Sequence, residues 1–414
     1  MRIFHTSDWH LGHKLMEVDR GVEHDAFLGW LLDQLVASAA DALLIAGDIF
    51  DVANPSSEAQ QRWYGFLAEA GRRCPGLDVV VIGGNHDSPG RLDAPAEALA
   101  ALNVRVVGGL PRAPGGGVDA ARAVIPLHNA RGEVGAWVCA VPFLRAGDLP
   151  HLPGADEPVV EGVAAIYAAA VAEARRRSQG GQPILAMGHA HLAGCAVSEL
   201  SERRVLVGNQ GALPTSIFPD DLVYVALGHL HRAQQVGSPH IRYSGSPIPL
   251  SVPERRYRHQ VLSLRLEGEA LAEVTPLEIP RSVDVLRIPD EGVAPLADAL
   301  AAVRALPLAA SHDASLNHPL LWVEVALDAP DPTLRAQVED ALHGRAARLL
   351  KVMARATGTG EALAEAQPVP DLRALSVEDV FLRCWARTYE APPEAQVLAA
   401  LADLVQQAHD EVSA

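Results

Sequence analysis

Ala42-Leu43-Leu44-Ile45-Ala46-Gly47-Asp48-Ile49-Phe50-Asp51 runs five apolar residues into a glycine and two carboxylates. An unbroken apolar run of this length, closed by glycine, is the pattern of a strand buried on both faces. Strands of that kind belong to α/β layers, whose ligands gather past the carboxyl ends of the strands. Asp48 stands at that end.

Outward from this stretch, short β-branched runs alternate with helical ones from residue 1 to about 250, so the fold class is α/β, a β-sandwich flanked by helices. Strands are expected over 2–6, 42–46, 78–82, 105–107, 136–141, 184–187 and 222–227. Helices are expected over 21–38, where Phe27, Leu28, Leu31, Leu32 and Leu35 share a face, and over 163–178. The closing Arg175-Arg176-Arg177 suits the negative end of a helix dipole and reads as a terminal charge cluster. Segments 259–266 and 270–277 read as a hairpin.

A new unit begins near Arg281, with strands over 283–288, 320–327 and 348–353 and helices over 294–306 and 332–342. That pattern is a small α+β capping domain. Gly358-Thr359-Gly360 and Pro368-Val369-Pro370 then punctuate the chain before two short helices. The expected plan is a main domain over 1–280, a capping domain over 281–357, a linker over 358–370 and a helical segment over 371–414.

Composition sets limits. A chain of 414 residues with 49% hydrophobic and 21% charged content is an ordinary globular protein. Met1-Arg2-Ile3-Phe4-His5-Thr6 has no leader-like apolar core, and the longest apolar run, 163–172, is too short to span a bilayer. A cytoplasmic location with no membrane contact is the expectation. Cys74, Cys139, Cys195 and Cys384 lie far apart and form no C-x-x-C pair, which excludes a disulfide frame or a thiolate zinc cage. The net charge of −17 argues against nucleic-acid binding by bulk electrostatics. Carboxylates that hold cations would, however, be neutralised by them. Acid concentrates at one end: residues 361–414 carry ten Asp or Glu against three Arg and no Lys.

Five motifs close expected strands: Asp8-Trp9-His10, Gly47-Asp48-Ile49-Phe50-Asp51, Gly84-Asn85-His86-Asp87, Gly188-His189 and Gly228-His229-Leu230-His231. A single histidine past a strand is more often a core residue than a ligand. Five such motifs in order are not chance. Two divalent cations about 3.5–4 Å apart can clamp a phosphate, and such a pair needs one carboxylate to bridge both ions. Asp48 suits that role, and Asp8, His10, Asn85, His189, His229 and His231 supply further oxygen and imidazole donors. Without a thiolate among them, the set disfavours a structural zinc site and favours Mn²⁺ or Mg²⁺-like chemistry.

D-x-H, G-D-x-x-D, G-N-H-D, G-H and G-H-x-H in this order resemble the calcineurin-like metallophosphoesterases. Gly228 to Gln234, followed by Tyr243-Ser244-Gly245-Ser246-Pro247-Ile248-Pro249-Leu250, resembles the SbcD nuclease subunits of bacterial SbcC–SbcD complexes. These are counterparts of the nuclease in the eukaryotic double-strand-break repair complex. The resemblance is strong over about 1–260 and lies only in layout beyond 281. It implies one metal on Asp8, His10, Asp48 and His231, and a second on Asp48, Asn85, His189 and His229. It makes His86 the catalytic histidine over the scissile phosphate, with Asp87 orienting nearby backbone or a neighbouring histidine. It further implies double-strand exonuclease and single-strand or hairpin endonuclease activity in DNA repair, recombination and replication. The partners it implies are DNA ends and hairpins and an SbcC-type ATPase, the nuclease being a homodimer within a heterotetramer.

Alternatives stand beside this. A phosphatase acting on small substrates or proteins would share the metal motifs, and a dead scaffold would require a lost ligand. His191 is an alternative ligand to His189, and Asp51 is either a cap for the next segment or part of the site. Arg145, Arg255, Arg256 and Arg258 are candidates for DNA contact or a solvated surface run. Within 371–414, Ser376 and Asp379 resemble a capping box, and Val397, Leu398, Leu401, Leu404, Val405 and Ala408 share a helical face. Such a segment docks on the ATPase or packs on its own chain.

Overall fold

The computed structural model describes residues 1–114, 117–197, 212–309 and 316–356, together with Phe381, Leu382, Trp385, Pro393, Val397, Leu398 and Leu401. Single turns and two-residue strands aside, the elements up to residue 278 are β1 (Arg2–Thr6), α1 (Gly21–Ala37), β2 (Ala42–Ala46), α2 (Ser57–Arg73), β3 (Asp78–Ile82), β4 (Val104–Val107), β5 (Val124–His128), β6 (Val134–Ala140), α3 (Pro158–Arg177), β7 (Ile184–His189), β8 (Tyr224–Gly228), β9 (Gln234–Val236), β10 (Ser238–Tyr243), β11 (Gln260–Glu267) and β12 (Ala270–Glu278).

Two six-stranded sheets result, ordered β12-β11-β1-β2-β3-β4 and β9-β10-β8-β7-β6-β5. In the first, β1 to β4 are mutually parallel; in the second, β6, β7, β8 and β10 are. Parallel strands bring all their carboxyl ends to one edge of each sheet. Strand β2 shows why its residues are all apolar. Ala42, Leu44 and Ala46 face the second sheet, packing among Val138, Leu185, Met187 and Tyr224. Leu43 and Ile45 face the other way, beneath Leu31 and Leu35 of α1 and Trp63 and Phe66 of α2. On the far side, Val163, Ile166, Tyr167, Ala170, Val171 and Ala174 of α3 cover the second sheet. The layers are therefore helix, sheet, sheet, helix.

Several expected boundaries move. Helix α3 starts at Pro158, five residues ahead of the apolar periodicity, because proline fits the first helical position. Strand β7 runs on through His189, and β8 occupies Tyr224–Gly228. Helix α2 adds to the expected elements, capped by Ser56, whose oxygen accepts from the Ala59 amide at 3.2 Å. So does β5, which carries Pro126 and lies at a sheet edge, where a missing amide costs no ladder bond. The Arg175–Arg177 triplet is engaged by the chain itself, Arg176 and Arg177 each reaching Glu173 at 2.7 Å and Arg175 pairing with Asp221.

Beyond 281 the chain forms a further, four-stranded sheet from β13 (Val285–Ile288), β14 (Ala294–Pro295), β15 (Leu320–Leu327) and β16 (Arg348–Ala356), with helices α4 (Leu296–Arg304) and α5 (Leu334–Leu342). Residues 1–326 and 331–355 make one compact unit, in which Val283, Val285, Leu320, Trp322 and Leu350 pack with Leu15 and Val252. A second unit comprises residues 327–330 and 356–414. Within it, the rings of Phe381 and Trp385 lie 5.6 Å apart. The expected capping box at Ser376 and most of the face from Val397 to Ala408 lie outside the described residues. No helix among the described residues is long and apolar enough to cross a membrane.

Candidate active site

The site forms where β1, β2, β3, β7 and β8 end. The loop after β1 is stitched to the loop after β2: the amides of Asp8 and His10 donate to the carbonyls of Gly47 and Asp48, each at 3.0 Å. Asp8, His10, Asp48 and His229 all have positive φ, at 55°, 45°, 50° and 100°. A non-glycine residue in such backbone costs on the order of 1–3 kcal/mol, and persists only where its surroundings enforce it. Close approach does the enforcing. A Cβ on Gly84 would stand 2.1 Å from Asp48 Oδ1, and one on Gly228 would stand 1.9 Å from the Ala46 carbonyl oxygen.

All seven expected ligands converge. Asp48 Oδ2 lies 3.3 Å from His189 Nε2 and 3.5 Å from His10 Nε2, so this carboxylate faces two histidines. Its Oδ1 accepts the His86 amide at 2.9 Å. Asp8 Oδ1 accepts the His229 amide at 2.9 Å. Asn85 Oδ1 lies 3.0 Å from His189 Nε2 and 2.9 Å from His229 Nδ1. Candidate ligand atoms of Asp8, His10 and His231, and again of Asp8, Asp48 and His189, fall within 4.8 Å of one another.

These residues fit divalent cations. The His10 ring is only 3% exposed, yet neither of its buried nitrogens makes a hydrogen bond. Buried polar atoms normally find partners, and an imidazole whose nitrogens face Asp48 at 3.5 Å and Asp51 at 3.3 Å without hydrogen-bond geometry has the chemistry of a metal donor. His189 Nδ1 donates to the Ala46 carbonyl at 2.8 Å, which turns Nε2 toward Asp48 and Asn85. Burial opposes charge on His189, but Asp48 and Asp8 outweigh it and push its pKa up to about 9. A proton and a cation therefore compete for that carboxylate-rich position. Beside it, burial and the neighbouring His189 push His229 down to about 3.

Asp87 accepts the amides of Gly84, Ile49 and Phe50 at 2.9, 3.1 and 3.1 Å, and so buckles the loop after β2 to the loop after β3. Burial, together with the nearby Asp48 charge, pushes it up to about 6. His86 donates from Nδ1 to the Asp51 carbonyl at 2.7 Å, and its ring packs edge-on against His10 with centroids 4.7 Å apart. The capping alternative for Asp51 is corrected. Ser56 caps α2, while the Asp51 carboxylate lies 3.0 Å from His13 Nδ1 and 3.3 Å from His10 Nδ1. His191 sits further out, its ring 6.4 Å from that of His229.

His13, Ser7 and Glu254 join the site without a motif to announce them. Glu254 is fully buried and meets His231 Nδ1 at 3.0 Å. No signal marks it, since it stands beside Arg255 and Arg256 in what reads as a basic surface run. Those two arginines reach Asp290 and Glu291: Arg255 meets Asp290 at 2.5 Å and Arg256 meets Glu291 at 2.6 Å. Arg258 and Arg145 are exposed. The Arg145 guanidinium lies 5.4 Å from the centre of the Phe143 ring, which in turn packs 6.2 Å from His189.

Residues 1–233 match the family model of calcineurin-like phosphoesterases, and residues 281–389 match that of the type 5 capsule protein repressor C-terminal domain, SbcD_C. The SbcD subunit of the SbcCD nuclease of Rhodobacter capsulatus is 42% identical over 385 residues, covering 92% of this chain and 93% of that protein. The chain belongs to the SbcD family of calcineurin-like phosphoesterases. The corresponding SbcCD nuclease subunit of Escherichia coli K12 is 32% identical over 392 residues, 92% of each chain. A solved dimetal phosphatase from Danio rerio is similar at 12% identity and a TM-score of 0.40, covering 68% of this chain and 99% of that one. As a member of this family the chain is a metal-dependent phosphodiesterase, and its donor atoms meet where the sheet edges meet.

Proposed function

We propose that this chain is a manganese-dependent DNA nuclease that works with an SbcC-type ATPase on DNA ends and hairpins. The observation that carries the proposal is Asp48, a buried carboxylate facing His10 on one side and His189 on the other. In this reading Asp8, His10, Asp48 and His231 hold one divalent cation, and Asp48, Asn85, His189 and His229 hold the other. When bound, the pair supplies Lewis-acid charge that offsets the charge developing on the phosphate oxygens. The donor set contains no thiolate and suits Mn²⁺, with Mg²⁺ the alternative.

The chain's own groups supply the rest. Because the Asp51 carbonyl holds Nδ1–H of His86, Nε2 is the atom that would hand a proton to a leaving oxygen. Asp87 holds the two loops carrying Asp48 and His86 at a fixed spacing. The relatives are named as one subunit of a nuclease called SbcCD, and that name supports a second kind of subunit here. Residues 371–414 are proposed as the docking segment, 358–370 as a linker and 281–357 as a capping domain, with the nuclease a homodimer within a heterotetramer. For DNA, Arg145 and Arg258 are better candidates than Arg255 and Arg256, whose side chains meet acidic partners.

The full chain, supplied with Mn²⁺ and its ATPase partner, should cleave end-labelled duplex and hairpin DNA faster than it hydrolyses p-nitrophenyl phosphate. Faster turnover of the small ester, with DNA left intact, would replace this reading with that of a phosphatase.

A further inference from the structure

Glu254 lies in the short 3₁₀ turn Val252–Arg256, one residue before the arginine pair, yet its side chain is 0% exposed. Its carboxylate gathers donors from two loops. Oε2 accepts the Leu250 amide at 2.8 Å, while Oε1 accepts Ser251 Oγ–H at 3.1 Å and His231 Nδ1–H at 3.0 Å. The turn is anchored in place by His259, whose ring spans the Ser246 carbonyl at 2.8 Å and the Glu254 carbonyl at 3.3 Å. A buried carboxylate is costly unless charge-assisted hydrogen bonds compensate it. Loop donors alone would serve a purely structural acid, but one donor here is a converging histidine.

From this geometry we infer that Glu254 is a positioning residue of the active site, holding the Nδ1 proton of His231 so that Nε2 presents its lone pair to a cation. The inference rests on the reading of His231 as a ligand. An imidazole backed by a carboxylate is fixed in tautomer and orientation and is a stronger donor than one backed by a neutral group. His189 is backed by the carbonyl of Ala46 instead, so the two halves of the site are supported differently. The Ser-Gly-Ser-Pro segment belongs to the same support. Ser244 Oγ lies 2.8 Å from Ser7 Oγ, which donates to Asp8 Oδ2 at 2.5 Å. Gly245 has φ +80°, and a Cβ there would stand 2.7 Å from the carbonyl oxygen of His231. Ser244, Gly245 and Glu254 thus form a shelf behind Asp8 and His231.

The isosteric variant Glu254→Gln puts an amide N–H opposite either His231 Nδ1–H or the Leu250 amide, so one of the two contacts turns repulsive. Titration of the full chain with Mn²⁺ alone, followed calorimetrically, should show two binding events in the wild type. Glu254→Gln should weaken one of them by about 10- to 100-fold and leave the other unchanged. Glu254→Ala should weaken the same event further, and His231→Ala should abolish it. If both events weaken together in Glu254→Gln, the residue is a fold element and the inference is overturned. If His231→Ala removes one event while both Glu254 variants bind as the wild type does, the ligand reading stands and the role of Glu254 falls. If His231→Ala leaves both events intact, His231 is not a ligand and both readings fall.

Discussion

Asp48 and His86 sit one hydrogen bond apart, yet their geometries assign them different work. Asp48 is buried, faces two histidines, and is held well below the usual carboxylate range because His189 and His10 outweigh the cost of burial. His86 is only half-buried and spends Nδ1 on a backbone carbonyl. Replacing each should therefore separate metal binding from turnover. Asp48→Ala should lose Mn²⁺ binding and nuclease activity together. His86→Gln should keep its Mn²⁺ affinity while turnover falls by about 100-fold, the usual worth of a positioned acid. Calorimetric titration beside a cleavage assay reads both. Two tight Mn²⁺ events surviving in Asp48→Ala would refute the bridging role, and lost affinity in His86→Gln would make that histidine a ligand.

At the scale of elements, strand ends and the loops beyond them divide the labour. The strands supply rigidity from packing on both faces, and the loops spend part of it on left-handed backbone at four of the seven expected ligands. Gly84→Ala tests the arrangement, because its Cβ meets Asp48 Oδ1 and the Asp48 amide rather than a flexible side chain. It should lower Mn²⁺ affinity while leaving most of the fold's thermal stability. Gly29→Ala is the counterpart: this glycine is exposed inside α1 with nothing within 4 Å of an added Cβ. That change should raise stability by about 0.5–1 kcal/mol through helix propensity alone, with metal binding unchanged. Denaturant unfolding and Mn²⁺ titration of both variants would show whether loop spacing and helix stability are independent.

Within the first compact unit the two six-stranded sheets face each other across an apolar layer, and His5 makes a polar link between them. Its ring, on β1, reaches the Tyr224 hydroxyl at 3.0 Å and the Leu227 carbonyl at 3.1 Å, both on β8. Burial lowers His5 to about 3, and burial together with the nearby Arg20 does the same to His24 beneath Trp9. In the unfolded chain both titrate near 6.5, so between about 6.5 and 3 the unfolded state binds more protons than the native one. The stability they contribute is complete above 6.5 and is lost as pH falls through that window, at about 1.4 kcal/mol per pH unit for each histidine. Urea unfolding of the metal-free chain at pH 7 and pH 5 should show this loss, and His24→Gln should show a smaller one. Equal losses in both proteins would mean that His24 is protonated in the native state.

Strand composition and ligand chemistry are both local, so much of this protein is legible along its chain. Ala42–Ala46 must be buried on both faces wherever it folds, and D-x-H, G-N-H-D and G-H-x-H announce donors at the ends of such strands. Helix α2 was equally readable in principle, with Ser56 as its cap and Trp63, Phe66, Leu67 and Ala70 on one face. Strand β5 was not, because Pro126 speaks against a strand unless it is known to lie at an edge, and edges exist only once a sheet is assembled. Asp51 could cap or could turn inward, and Glu254 could belong to a solvated run or to the site. Each choice depends on which groups approach from elsewhere in the chain. His231 lies 23 residues from Glu254, and the histidines that meet Asp51 come from the loop after another strand. Strand composition carries the α/β layering, and the motifs at the strand ends name the candidate donors. Which carboxylate faces which imidazole follows from the assembled fold, because stacking two sheets face to face brings together loop side chains that no spacing along the chain connects.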